Sequence, residues 1–241
     1  MSSAPAPFDA ATLKERVAKH AVDSYVKSGM KLGLGTGSTA LPAIRHVGAL
    51  LRAGTLRDIK AVPTSFQSHI ACEEEGIPLY SLNSPEIGGA LDLALDGADE
   101  VDPGNRLIKG GGGALLLEKI VAYNSARFIV IVDERKLVER LGPGFAIPVE
   151  IVPDARVPVV KALVALGGEV SLREAVRKAG PVVTDRGNLI LDTRFPQPVD
   201  PCELEAAIAA IAGVVESGLF TRIKPLVCVA HADGRIGERE A

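Results

Sequence analysis

The sequence predicts an α/β protein: a Rossmann-like, doubly wound parallel sheet carrying an inserted, smaller α+β domain of ferredoxin-like order. Three observations point to it. Near-continuous aliphatic runs alternate with helical periodicity through the first half, as expected for parallel strands covered on both faces. A Gly- and Pro-rich stretch, Gly142 to Pro148, then precedes a change in element order. A last apolar run, Pro225 to Ala230, is expected to return to the first sheet, which makes the second domain an insertion.

Each element has its own signal. Between Ala10 and Val26, residues Leu13, Val17, Ala21, Val22, Tyr25 and Val26 recur at helical spacing. Met30 to Leu34 reads as a short strand entering the loop Gly35 to Thr39, and helical periodicity resumes from Ala40 to Leu51. Strands are expected at Ile59 to Val62, Pro78 to Tyr80, Leu91 to Leu95 and Phe128 to Val132, with helices at Phe66 to Glu75 and Gly113 to Asn124. Beyond the Gly/Pro stretch come a strand (Val149 to Val152), a helix (Ala155 to Leu166) and a strand (Gly168 to Leu172). A hairpin follows, Val182 to Thr184 and Leu189 to Asp192 about the turn Asp185 to Asn188, then a helix (Pro201 to Ile211) and a strand (Val214 to Glu216). This is the split βαβ order. The expected division is 1–145 plus 218–241 for the Rossmann-like domain and 146–217 for the smaller one.

Composition narrows the partners. Lys+Arg number 27 against Asp+Glu 30, so the net charge of −3 argues against nucleic acid and anionic membrane. The strongly apolar segments, such as Phe128 to Val132, are far too short to span a bilayer. Met1 to Pro7 lacks the basic and apolar segments of a secretory leader, and a cytoplasmic location is expected. Cys72, Cys202 and Cys228 are odd in number and widely spaced, and His20, His46, His69 and His231 are scattered. Neither a disulfide framework nor a metal set is visible.

Three loops can carry chemistry. Gly33 to Thr39 lies between a strand and a helix, where glycines admit an anion to the backbone and the helix N-terminus offers N–H groups. Thr36, Ser38 and Thr39 add hydroxyls. The dinucleotide fingerprint fails at Ser38 and the Walker A Gly-Lys pair is missing, so an anion is favoured and a dinucleotide is not. A Gly-rich turn capped by Ser38 or Thr39 is the plainer alternative. The second loop, Asp96-Gly97-Ala98-Asp99-Glu100, follows an apolar strand at the end where open α/β sheets bind ligands. Its alternatives are a solvated acidic turn or a Ca²⁺ or Mg²⁺ loop, although the EF-hand pattern is absent. The third, Lys109 to Lys119, has four consecutive glycines before a helix, costly to order unless backbone must approach a ligand or adopt unusual torsions. Glu118 sits in the first or second turn of that helix, where it either points back to the loop or simply suits a helix N-terminus.

Two anion-friendly loops, clustered acids and a lysine suit a small phosphorylated, hydroxyl-rich substrate. No nucleophile elbow, metal set or intact cofactor fingerprint accompanies them, which leaves acid–base chemistry. Aldose–ketose isomerisation needs only a carboxylate and a donor for developing negative charge.

GLGTGSTA (Gly33 to Ala40), DGADE (Asp96 to Glu100) and KGGGGALLLEK (Lys109 to Lys119) resemble, in order and spacing, the signature loops of type A ribose-5-phosphate isomerases. VVTDRGNLILD (Val182 to Asp192) and GVVESGLF (Gly213 to Phe220) are similar too, so the resemblance covers nearly the whole chain. It implies interconversion of D-ribose 5-phosphate and D-ribulose 5-phosphate through an enediolate, in the non-oxidative pentose phosphate pathway, without cofactor or metal. By matching position, it implies that Glu118 shuttles the proton between C1 and C2 and Lys109 stabilises the anionic oxygen. Asp96 and Asp99 would orient hydroxyls and assist ring opening. Substrate contacts are implied for Thr36, Gly37, Ser38 and Thr39, for Asp96, Gly97, Ala98 and Asp99, for Lys109, Gly110, Gly111 and Gly112, and for Lys136. The smaller domain resembles the family's ferredoxin-like lid, and homodimers or homotetramers are usual. Gly113 and Leu117 depart from the alanine and arginine common at their places, which is expected to touch rate or stability and not the chemistry. Met1 to Pro7 matches nothing and is expected to be disordered. The competing reading is a non-catalytic sugar-phosphate sensor, which has no use for Glu118 and Lys109.

Overall fold

The computed structural model describes residues 8–240, so the disorder expected for Met1 to Pro7 concerns residues outside the described ones. The chain runs α1 (Ala10–Tyr25), β1 (Lys31–Leu34), α2 (Ala40–Arg52), β2 (Lys60–Pro63), α3 (Phe66–Glu74), β3 (Leu91–Asp96), β4 (Glu100–Val101), β5 (Leu107–Ile108), α4 (Leu115–Tyr123) and β6 (Ser125–Asp133). It continues through β7 (Ile147–Ile151), α5 (Arg156–Ala165), β8 (Glu169–Leu172), β9 (Leu189–Arg194), α6 (Pro201–Ala209), β10 (Val214–Ser217), β11 (Leu219–Phe220), β12 (Leu226–Ala230) and β13 (Ile236–Arg239). Two units result. Of the described residues, the first comprises 8–97, 120–137 and 225–240, the second Ala98–Lys119 and Val138–Lys224.

In the first unit a six-stranded sheet has the order β2-β1-β3-β6-β12-β13, parallel except for the edge strand β13. Strand alternation sends Leu32 and Leu34 of β1 into one core with Leu13, Val17 and Ala21 of α1 and Ile44 and Val47 of α2. Full burial of each large aliphatic side chain contributes about 1.5–3 kcal/mol. Gly33 faces the other side, where Val121 of α4 packs against it. The chain winds from β1 to β2 in one direction and then crosses to β3 on the far side of β1. That reversal falls between β1 and β3, whose carboxyl ends are the place where such sheets receive ligands.

In the second unit the antiparallel sheet β10-β7-β9-β8 packs on α5 and α6 through Val149, Ile151, Val159, Leu163, Leu191, Leu204 and Ile208. The order β7-α5-β8-β9-α6-β10 is the split βαβ order expected for this part of the chain. A three-stranded sheet, β11-β5-β4, lies in the same unit.

Two expected strands shrink to bridges. Over Pro78 to Tyr80 only Leu79 bridges Ala61: Pro78 has no N–H to give, and a turn-rich segment follows. Over Val182 to Thr184 only Val183 pairs, with Leu189. The return of Pro225 to Ala230 to the first sheet is observed as β12 beside β6.

Candidate active site

In the first unit the loop after β1 is fixed by a carboxylate. Asp96, the last residue of β3, is 3% exposed and accepts from the N–H of Thr36 (3.0 Å) and Gly97 (2.7 Å) through Oδ1. The loop lies so close that a Cβ on Gly35 would stand 2.1 Å from the Asp96 carboxyl carbon. Thr36 Oγ1 meets Thr64 Oγ1 at 2.7 Å and donates to Ser65 Oγ at 2.6 Å, while the Gly37 N–H donates to Gln67 Oε1 at 2.8 Å. Ser65 also caps α3 in a reciprocal capping box with Ser68, which holds Thr64 and Ser65 against the loop. Thr39 occupies the N-cap of α2 without a side-chain cap bond, and Ser38 is exposed and accepts from Lys14 Nζ at 2.7 Å. Thr39 therefore does not cap the helix in the manner of the plainer reading, and the Ala40 and Leu41 N–H groups donate instead to the Gly37 carbonyl at 3.1 and 3.0 Å. Lys136, partly buried, ends the short 3₁₀ turn that follows β6. It therefore stands at the same, carboxyl edge of the sheet as Asp96, since β3 and β6 are paired in parallel.

In the second unit two buried, opposite charges meet. Lys109 follows β5 and Glu118 lies in the first turn of α4; their side chains are 2% and 6% exposed, and Nζ donates to Oε1 at 3.0 Å. The Phe220 ring has its centroid 5.7 Å from Lys109 Nζ and 5.0 Å from Lys119 Nζ. Lys119 is itself buried and donates to Glu205 (2.8 Å) and Glu216 (2.7 Å), which ties the first turns of α4 to α6 and β10. Between Lys109 and α4 the glycine loop is gathered by the Gly111 N–H donating to Asp99 Oδ2 at 2.8 Å and by a turn in which the Gly113 N–H donates to Gly110 O at 2.9 Å. A Cβ on Gly111 would stand 2.7 Å from Asp99 Oδ1. Gly111 and Gly112 are exposed. The arrangement offers a buried carboxylate and ammonium joined by an exposed stretch of glycine backbone.

A carboxylate that can exchange a proton next to a fixed cation is the minimum for enolisation. The model of the family described as ribose 5-phosphate isomerase A (phosphoriboisomerase A) matches residues 60–234. The chain belongs to that family. A ribose-5-phosphate isomerase A from Treponema denticola is 57% identical over 236 residues, covering 95% of this chain and 99% of that protein. A D-ribose-5-phosphate isomerase solved in complex with phospho-erythronic acid superposes with a TM-score of 0.92 at 40% identity, covering 97% of this chain and all of that one. The isomerase A of Methanocaldococcus jannaschii gives 0.89 at 46%, over 95% and 98%. These relatives bear out the α/β fold class and the family resemblance of the loops.

Within this isomerase framework, the structure groups the expected site residues by unit. Thr36 to Thr39, Asp96, Gly97 and Lys136 belong to the first; Ala98, Asp99, Lys109 to Gly112 and Glu118 belong to the second. Gly113 has φ +79°, a conformation that glycine adopts without strain and an alanine would not. Sequence reasoning left out Thr64 and Ser65 and missed Gln67, which hold the first loop, and Arg173, whose guanidinium donates to the carbonyls of Gly110 (2.9 Å) and Gly111 (3.1 Å). Thr64 and Ser65 carried a signal, small hydroxyl residues at the end of a strand; Gln67 and Arg173 carried none.

Among the described residues one group has metal-ligand proximity: His20, Cys228 and Glu238, with donor atoms within 4.8 Å of one another. His20 Nε2 is 2.8 Å from Glu238 Oε1, and burial pushes the Cys228 thiol up to about 12. The group joins α1 to the β12–β13 edge and includes none of the loop residues. No helix among the described residues is long and apolar enough to cross a membrane.

Proposed function

We propose that this chain interconverts D-ribose 5-phosphate and D-ribulose 5-phosphate by moving one proton between neighbouring carbons, with Glu118 as the base. The observation that carries this reading is the buried Lys109–Glu118 pair in a member of the isomerase A family. In the open-chain aldose, the Glu118 carboxylate takes the proton from C2. The electrons shift into a C1–C2 double bond, and negative charge gathers on O1, where the Lys109 ammonium offsets it. A proton then passes from O2 to O1's side of the enediolate, and Glu118 returns its proton to C1, leaving the ketone at C2. Acid–base catalysis of this kind is typically worth about 10²–10⁴-fold. A well-aimed donor to the oxyanion adds about 2.7–4 kcal/mol.

Asp96 and Asp99 orient sugar hydroxyls and assist ring opening. Both carboxylates are already aimed by backbone N–H groups, of Thr36 and Gly97 for the one and Gly111 for the other. Thr36 to Thr39, at the N-terminus of α2, suit the phosphate: their hydroxyls and the helix dipole favour an anion. Gly97, Ala98, Gly110, Gly111, Gly112 and Lys136 complete the substrate contacts. The solved relative in complex with phospho-erythronic acid, a phosphorylated hydroxy acid, supports a ligand of this class. The chain is expected to work in the cytoplasm as a homodimer or homotetramer, which light scattering during gel filtration checks.

A sugar-phosphate sensor is less well supported. Burying a lysine and a glutamate costs several kcal/mol per ion, and even when paired they are often no more stabilising than hydrophobic residues of the same volume. Binding alone does not require that expense, and proton transfer does. A coupled assay with ribose 5-phosphate, run with and without a chelator, separates the two readings: turnover insensitive to the chelator is expected, and no turnover contradicts the proposal.

A further inference from the structure

Four consecutive glycines are the part of this site least able to hold their own shape, because each loses more backbone freedom on ordering than any other residue. Something else must fix them. Two of the constraints come from the segment itself and from Asp99. The third comes from Arg173, immediately after β8, whose Nη1 donates to both Gly110 O (2.9 Å) and Gly111 O (3.1 Å). The guanidinium is not free to wander. Asp192 on β9 holds it in a fork, Nε to Oδ2 at 2.9 Å and Nη2 to Oδ1 at 2.5 Å. Arg173 and Asp192 are only 15% and 25% exposed, and β8 and β9 are paired in register, Ser171 opposite Asp192. A planar cation clamped at one edge by a carboxylate presents its other edge in a fixed direction.

Rotation of either glycine peptide would break one of these bonds, so Arg173 sets which way both carbonyls point. The residue before this pair is Lys109, and the helix after it carries Glu118. We infer that Arg173, buttressed by Asp192, is a positioning residue for the isomerisation: it fixes the Gly110 and Gly111 peptides and thereby the aim of Lys109 and Glu118. The inference rests on the proposed role of that pair. Misplacement by about 1 Å can cost about 10²-fold in rate even when binding survives.

The surroundings of Arg173 permit a test that a purely structural salt bridge fails. The guanidinium lines a cavity of about 580 Å³ together with Gly111, Ser171, Asp192 and Arg194. A small cation from solution can reach the space that truncation would leave. Arg173→Ala is expected to lower kcat by about 10²-fold with KM little changed. Low-millimolar guanidinium chloride is expected to restore part of the rate to this variant and none to Glu118→Gln. Arg173→Lys should recover an intermediate kcat, since an ammonium on a flexible stem cannot reproduce the fork. Parental kcat in Arg173→Ala overturns the inference. So does a loss that follows the melting temperature and that guanidinium does not repair. Should the alanine variant fail to fold, the lysine variant decides: reduced kcat at parental melting temperature supports the inference, and parental kcat overturns it. Inactivity of the parental chain on ribose 5-phosphate would instead defeat the proposed function, which keeps the two failures apart.

Discussion

Lys109 Nζ and Glu118 Oε1 lie 3.0 Å apart with both side chains almost wholly out of water. The two residues are nine positions apart in sequence and are brought together by the glycine turn between β5 and α4. Their charges offset each other, yet a buried ion pair is seldom more stable than a hydrophobic pair of the same volume. Catalysis gives this pair a reason to be there that folding does not.

Removing one partner should therefore separate stability from activity. Lys109→Met removes the ammonium that faces the buried Glu118 carboxylate, and the expected loss is about 3–5 kcal/mol of stability. The rate should fall by about 10²–10³-fold as the oxyanion loses its donor. Adding Glu118→Leu to that variant should return much of the stability and none of the rate. Thermal unfolding and the coupled assay, run on both variants, check the two halves.

The glycines that touch the aspartates give a second expectation. A Cβ at position 35 would stand 2.1 Å from the Asp96 carboxyl carbon, and one at position 111 would stand 2.7 Å from Asp99 Oδ1. Gly35→Ala overpacks a buried contact and should cost about 1–3 kcal/mol, read as a lower melting temperature. Gly111 is exposed, so Gly111→Ala should spare stability and displace Asp99. Its kcat/KM is expected to fall by about 10–10²-fold.

How far the sequence foretold this site depends on how local each cause was. The strands β1, β3, β6 and β12 were legible because continuous aliphatic runs mark buried parallel strands. The three loops were legible because glycine runs and clustered acids are costly to keep without use. By contrast β4, β5 and β11 are two residues each, too short for any period to register. The residues that hold the loops come from afar. Ser65 stands 29 positions from Thr36 and Arg173 stands 62 from Gly111. Lys119 neighbours Glu118 in the chain, yet its partners lie 86 and 97 positions away. Only tertiary pairing reveals such connections.

Glu150 on β7 gives a pH dependence unrelated to catalysis. It is buried and accepts from Thr184 Oγ1 and Asn188 Nδ2, both at 2.9 Å. Burial outweighs those bonds and pushes its carboxyl above the ordinary 4.5. The folded protein therefore keeps a proton that the unfolded chain has released, and stability falls as pH rises from about 4.5 through the folded value. Glu150→Gln keeps an oxygen for both donors and removes the charge. Its unfolding free energy, followed by denaturant titration across acid to neutral pH, should lose that downward slope and exceed the parental value at neutral pH.

The claim on which the rest depends is that Glu118 carries the proton between the two sugar carbons. Turnover of Glu118→Gln at saturating ribose 5-phosphate, on protein shown to be folded, tests it most directly. The amide can still accept from Lys109 but cannot act as the base, so the expected rate is lower by about 10²–10⁴-fold. A variant that isomerises at close to the parental rate would contradict the account.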